Sequence, residues 1–198
     1  MSTRMRTLLW RLTALSVVAA GAVGLGACDL DEFFDVKNPG RIFDEDVSTP
    51  LLLGTLVTGA SAELSDWVDG QAMDISILTD EMAGSGSYYS TSVLRQGILR
   101  PQDVDWYFEQ PQEGRWAAEE AIRRYEDILG VAEAQQDTAY ARAYILSGIN
   151  HRQLAETFCQ VSYEVSAAME KDTAFQRAYN MFAQGESLAS SLGNTTPS

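Results

Sequence analysis

The chain has 198 residues, 45% of them hydrophobic, with 28 acidic side chains against 14 basic ones and a formal net charge of -14. That hydrophobic content excludes a wholly disordered chain, and so acidic a surface repels phosphate backbones and anionic headgroups, which excludes nucleic acid as a partner. Cys28 and Cys159 are the two cysteines, too few for a disulfide framework.

At the N-terminus Arg4, Arg6 and Arg11 precede an uncharged apolar run from Leu12 to Leu25, which leads through Gly26 and Ala27 to Cys28. A basic start, an apolar stretch and small residues at its end are the pattern of a secretory signal over residues 1–27. Leu25-Gly26-Ala27-Cys28 resembles the lipobox of bacterial lipoproteins, which implies lipidation of Cys28 and cleavage just before it. The run Leu12–Ala27 covers only about 24 Å as a helix, against roughly 30 Å of hydrocarbon, so the membrane is reached through lipid rather than through a span. Loss of the three arginines leaves 11 basic side chains against 28 acidic ones and a net charge of -17. Cys159 then has no intramolecular partner, and its place after Phe158 in an apolar helical pattern reads as a buried structural thiol.

Residues 28–48 are an acidic, irregular lead-in with a turn at Asn38-Pro39-Gly40. Ser48-Thr49-Pro50 supplies a capping hydroxyl and a proline for the first helical position, so a helix is expected to about Leu64. A second is expected from Trp67 to Met82, stopping at Gly84-Ser85-Gly86-Ser87. From Gly84 to about Gly114, glycines, prolines and aromatic pairs break any period, and a long irregular loop is expected. Arg115–Leu129 is the next helix, with Ala118, Ile122, Tyr125 and Leu129 inward, Glu119–Arg123 and Glu120–Arg124 as outer pairs, and Gly130 as the stop. Asp137 or Thr138 caps a helix that runs to about Gln160, and Asp172 or Thr173 caps the last one, whose stripe is Phe175, Ala178, Tyr179, Phe182 and Ala189. Strand patterns are nearly absent. The expected fold is all-α, one domain over residues 49–198 built of antiparallel helix hairpins.

Chemistry-bearing residues are sparse. His151 and Cys159 lie about 12 Å apart along one predicted helix, too far to share a proton, and the single histidine reads as a surface or half-buried residue with no second ligand at metal spacing. Asp35–Asp46 has the length of a calcium loop, yet Lys37 and Pro39 occupy its ligand positions. The adjacent acids Asp80 and Glu81 have no separated partner of the kind that glycoside hydrolysis needs. No catalytic residue, metal or cofactor is therefore expected. The candidates for ligand binding are the aromatic clusters Tyr88, Tyr89 and Trp106, Tyr107, and packing into the core competes with that reading for each.

Four stretches, in order behind the lipobox, carry a family resemblance: Asp31–Pro39 (DEFFDVKNP), Leu78-Thr79-Asp80-Glu81, the helix Trp116–Leu129, and Ala141–Phe158 (ARAYILSGINHRQLAETF). Together they resemble the SusD/RagB family of outer-membrane nutrient-binding lipoproteins. Ala178-x-x-x-Phe182 is similar to half of a tetratricopeptide repeat. The resemblance implies tetratricopeptide-like helix pairs, a lipid-anchored protein of the outer membrane, a TonB-dependent, SusC-like transporter as partner, and an oligosaccharide or other polymer fragment as ligand, bound and not transformed. Asp29 would favour inner-membrane retention under some sorting rules, against the family. Family members are much longer, which implies an incomplete SusD-like fold whose stripe at Phe175, Tyr179 and Phe182 lacks a cover. The alternatives are a helical lipoprotein scaffold that binds only protein partners, and a truncated family member without function.

Overall fold

A computed structural model describes residues 44–85, 88–103 and 105–193, all within one compact unit. The signal segment, Leu25, Gly26, Ala27, Cys28 and most of the acidic lead-in lie outside the described residues. The described part is overwhelmingly helical, as an all-α fold requires. Its elements are α1 (Asp44–Val47), a 3-10 turn (Pro50–Leu52), α2 (Leu53–Leu78), α3 (Tyr89–Gln96), a second 3-10 turn (Pro101–Asp103), α4 (Trp106–Leu129), α5 (Val131–Ala134), α6 (Thr138–Thr157), β1 (Gln160–Val161), β2 (Met169–Glu170) and α7 (Lys171–Gly193). None of these helices is long and apolar enough to cross a membrane.

The region expected to hold two helices is one. Leu53, Val57, Ala60, Trp67, Asp74 and Ile77 are buried along α2, a spacing of threes, fours and sevens that continues unbroken past Ser65-Asp66 and keeps one face inward. Leu78 ends the helix, and Asp80 follows in the left-handed region at φ +60. Proline does occupy the start of the turn that leads into it, but the Ser48 hydroxyl donates to the Asp44 carbonyl at 2.8 Å instead of capping.

The long loop is also largely helix. α3 stands inside it, closed by Gly97 at φ +64, and α4 begins at Trp106 rather than Arg115. Pro111 sits inside α4 with its ring fully buried. Having no N–H, it leaves the carbonyl of Tyr107 without its helical partner; burial of the ring compensates, and the helix continues. Gly130, at φ +77 and ψ +153, stops α4 as expected. Asp137 caps α6: its Oδ1 accepts from the amide of Ala139 at 2.8 Å while Oδ2 accepts from the Tyr125 hydroxyl at 2.9 Å. α6 ends at Thr157, short of Gln160, and a two-residue antiparallel ladder pairs Gln160 with Glu170 and Val161 with Met169. α7 starts at Lys171, so Asp172 and Thr173 lie within its first turn and not at its cap.

Cross-contacts fix the directions. Asp74 meets Tyr107 and Ser48 meets Arg124, so α2 and α4 are antiparallel; Glu119 meets His151 and Glu126 meets Tyr140, so α4 and α6 are too. α2 also touches α6, which closes a three-helix core, and α7 lies along α6. Leu53, Val57, Ala118, Tyr125 and Leu146 fill the larger apolar cluster, and Leu154, Val161, Tyr163 and Ala174 the smaller. On α7 only part of the expected stripe is covered: Ala178 is buried, whereas Tyr179 is 68% exposed.

Each successive helix pair approaches closely at a glycine. A Cβ on Gly70 would lie 2.8 Å from Trp106, one on Gly114 2.8 Å from Asn150 Oδ1, one on Gly148 2.8 Å from Phe182 and one on Gly185 2.5 Å from Ile145. Gly59, by contrast, faces open space on α2. Gly59→Ala is expected to stabilise the fold by about 1 kcal/mol through helix propensity, and Gly185→Ala to destabilise it by about 1–3 kcal/mol through overpacking. Urea unfolding of the two variants should move the midpoint in opposite directions.

Candidate functional site

A cavity of about 490 Å³ opens where the end of α2, the start of α4 and the end of α6 meet. Gln71, Ile75 and Leu78 line it from α2, Tyr107 from α4, and Gln153, Glu156 and Thr157 from α6, with Phe158 and Leu99 completing it. Its geometry follows from the helices. Residues 71, 75 and 78 repeat at three and four along one face, as do 153, 156 and 157, so both sets converge on one concavity. The Tyr107 hydroxyl donates to Asp74 Oδ2 at 2.9 Å in a buried pair. Burial first, and the Asp74 carboxylate second, push the phenol far above its ordinary range, so it stays protonated. Amide and hydroxyl groups of Gln71, Gln153 and Thr157, with the Glu156 carboxylate, thus stand among apolar and aromatic walls.

Of the four aromatic candidates, Tyr107 alone lines this cavity. Trp106 packs on Tyr107, ring centroids 4.2 Å apart, and against Gly70. The other two are exposed, Tyr88 at 76% and Tyr89 at 63%. The Tyr89 hydroxyl accepts from Arg100, whose guanidinium lies 5.6 Å from the ring centroid and is itself paired with Asp103 at 3.0 Å. The two clusters therefore part: Trp106 and Tyr107 pack, while Tyr88 and Tyr89 face solvent, with Tyr89 held by its own arginine.

Between α4 and α6 runs a polar network that the sequence did not disclose. Glu119 turns inward, accepting from Arg115 one turn earlier and from the Ser147 hydroxyl at 3.2 Å, with His151 Nε2 2.9 Å away. It does not form the outer pair expected with Arg123; that arginine pairs with Glu120 and Asp127. His151 is 1% exposed and not a surface residue, because its ring bridges Glu119 and the Tyr163 hydroxyl, 2.9 Å from Nδ1. A carboxylate can only accept, so in the neutral ring Nε2 carries the proton and Nδ1 accepts from Tyr163. Arg177 and Arg115 flank the Tyr163 ring, 4.2 Å and 5.2 Å from its centroid. Gln112 donates to the carbonyl of Ser162 at 2.7 Å and accepts from Arg115 Nε at 2.9 Å. α4 thereby holds the connection between α6 and α7.

Cys159 is exposed rather than buried. α6 ends two residues earlier, and it is Phe158 that turns in, edge-on to Phe108 with centroids 5.3 Å apart. Trp116, read in the sequence only as part of a helix, is 60% exposed beside Glu63 and Glu113. An unpaired aromatic next to a buried arginine is a signal that hydrophobic periodicity cannot weigh. Among the described residues no three His, Cys, Asp or Glu side chains converge as a metal site.

No family model matches the chain, and no curated protein or solved structure matches it either.

Burial raises the Glu119 carboxyl, but His151, Arg115 and Ser147 outweigh that and hold it below its ordinary range. A carboxyl depressed in the folded state contributes stability above its unfolded pKa and loses it as pH falls through the folded one. Stability should therefore decline on acidification below about pH 4.3, the unfolded glutamate value. Glu119→Gln should cost about 3 kcal/mol at pH 7 by leaving Arg115 buried without its partner and should flatten that acid decline. Chemical denaturation of both proteins across pH 3 to 7 measures the difference.

Proposed function

We propose that the helical body is the ligand-binding part of a lipid-anchored outer-membrane uptake protein, which takes a neutral oligosaccharide or other polymer fragment and passes it to a TonB-dependent, SusC-like transporter. The cavity lined by Tyr107, Phe158, Gln71, Gln153 and Thr157 carries this reading. Apolar and aromatic walls suit the carbon faces of a sugar ring, and the amides and the hydroxyl suit its oxygens. The anchor, the membrane and the transporter rest on the resemblance of the lipobox and of the four stretches behind it. In this reading α2 with α4 and α6 with α7 are two tetratricopeptide-like pairs, supported by the contact of α2 with α6, since stacked repeats touch first helix to first helix.

The rival reading, a scaffold for protein partners alone, is favoured by a second, more apolar groove along α6 and α7, lined by Ala141, Ile145, Gly185 and Ala189. Isothermal titration of the full chain in detergent with maltohexaose and xylohexaose separates the two. Binding of either sugar, weakened about tenfold (1.4 kcal/mol) by Gln153→Ala, is the expected result. Copurification of a transporter barrel with no affinity for any neutral oligosaccharide would move the conclusion to the scaffold.

A further inference from the structure

On the face shared by α2 and α4, away from the cavity just described, Glu63, Gln112, Glu113, Trp116 and Ala117 line an open groove of about 500 Å³. Trp116 is 60% exposed, and the two glutamates come from different helices to flank it. Neither the Glu63 nor the Glu113 side chain makes a hydrogen bond or an ion pair within the described residues. The arginines of α4 are committed elsewhere: Arg115 to Glu119, Arg123 to Glu120 and Asp127, Arg124 to Glu120 and Asp44. The amide of Gln112 is also engaged, with Ser162 and Arg115. The groove thus combines an indole with two carboxylates that lack a counterion in the described fold.

We propose that this groove docks an arginine side chain presented by a basic segment of a protein partner. Indole gives the strongest attraction for a cation among aromatic rings. A guanidinium is planar, weakly hydrated and able to stack while donating sideways, so one group can lie on Trp116 and reach both carboxylates. The partner is a protein segment because Trp116 and Glu113 stand exposed at the rim of the groove. A free small cation would keep most of its hydration there, whereas a flanking chain covers the rim and excludes water from the contact. The inference does not depend on the oligosaccharide reading, since it uses other residues on another face.

The test uses the full chain in a neutral polyoxyethylene detergent, with a fluorescein-labelled arginine–glycine repeat peptide and its citrulline counterpart as probes. Fluorescence anisotropy should saturate with the arginine peptide and stay flat with citrulline, which keeps the shape and loses the charge. Trp116→Ala, which removes no charge from an exposed position, should weaken binding about tenfold, and Glu63→Gln or Glu113→Gln should each weaken it by a smaller factor. Glu133→Gln removes the same charge from the exposed surface of α5 and should change nothing. Unaltered binding by Trp116→Ala, or an equal loss in Glu133→Gln, would reduce the effect to diffuse attraction by an acidic surface and overturn the proposal. Free arginine amide competing at the peptide's own concentration would overturn the choice of a protein partner. Displacement by maltohexaose would assign the groove to sugar instead.

Discussion

The charge on Glu119 organises this fold. Withdrawing a carboxylate even partly from water is costly unless donors replace the lost hydration, and Glu119, its side chain 30% exposed, finds them in Arg115, Ser147 and His151. Arg115 stands one turn before it on α4, while Ser147 and His151 stand one turn apart on α6. The three donors meet one carboxylate at a single register of the two helices, and a slip by one residue would turn them away. His151 then passes the constraint outward, because the nitrogen that does not face Glu119 faces Tyr163. The connection that launches α7 is thus positioned by a group on α4, two helices earlier in the chain.

Such contacts require the backbones to come close, and the glycines permit it. Gly114 lies just before Arg115, and Asn150 just before His151, at the same crossing. A methyl group at 114 would press on Asn150 Oδ1, which is buried and has no hydrogen-bond partner among the described residues. The asparagine amide instead donates to the carbonyl of Leu146 at 2.9 Å. An unmet buried acceptor costs on the order of 1–3 kcal/mol, and close approach here is what brings Glu119 within reach of His151. Gly148 and Gly185 repeat the device between α6 and α7, where Phe182 and Ile145 occupy the vacated space.

What the sequence made legible was whatever depends on apolar period and on local chain geometry. The absence of strand patterning, the stop at Gly130 and the cap at Asp137 are readable because each acts through its own neighbours. The rest depends on partners distant in sequence. Pro111 and Gly114 look like loop residues until the first is seen buried and the second seen as a notch for Asn150. Ser65-Asp66 looks like a break until Trp67 is seen to continue the buried face of α2. Asp74, Arg115, Glu119 and His151 count as surface in any hydrophobic pattern, yet they sit on inward faces because each finds a hydrogen-bond partner there, Asp74 in Tyr107 and the other three in one another. Tyr107 could be nominated as a site residue, but its place in the cavity follows from Gln71 and Gln153, whose convergence no local signal reveals.

The two ends of the helical core are held differently. At one end Arg124 binds Asp44 and Glu120, Tyr125 binds Asp137, and Tyr140 binds Glu126, so charge and hydroxyl contacts tie together α1, α4, α6 and the α5 connection. At the other, about 25 Å along α4 by helical rise, the cavity is framed by the Tyr107–Asp74 pair and the edge-on contact of Phe108 with Phe158. The Arg124 end is thus fixed by ion pairs, whereas at the cavity end one hydrogen-bonded pair, Tyr107 with Asp74, stands among aromatic contacts, and the Glu119 register lies between the two.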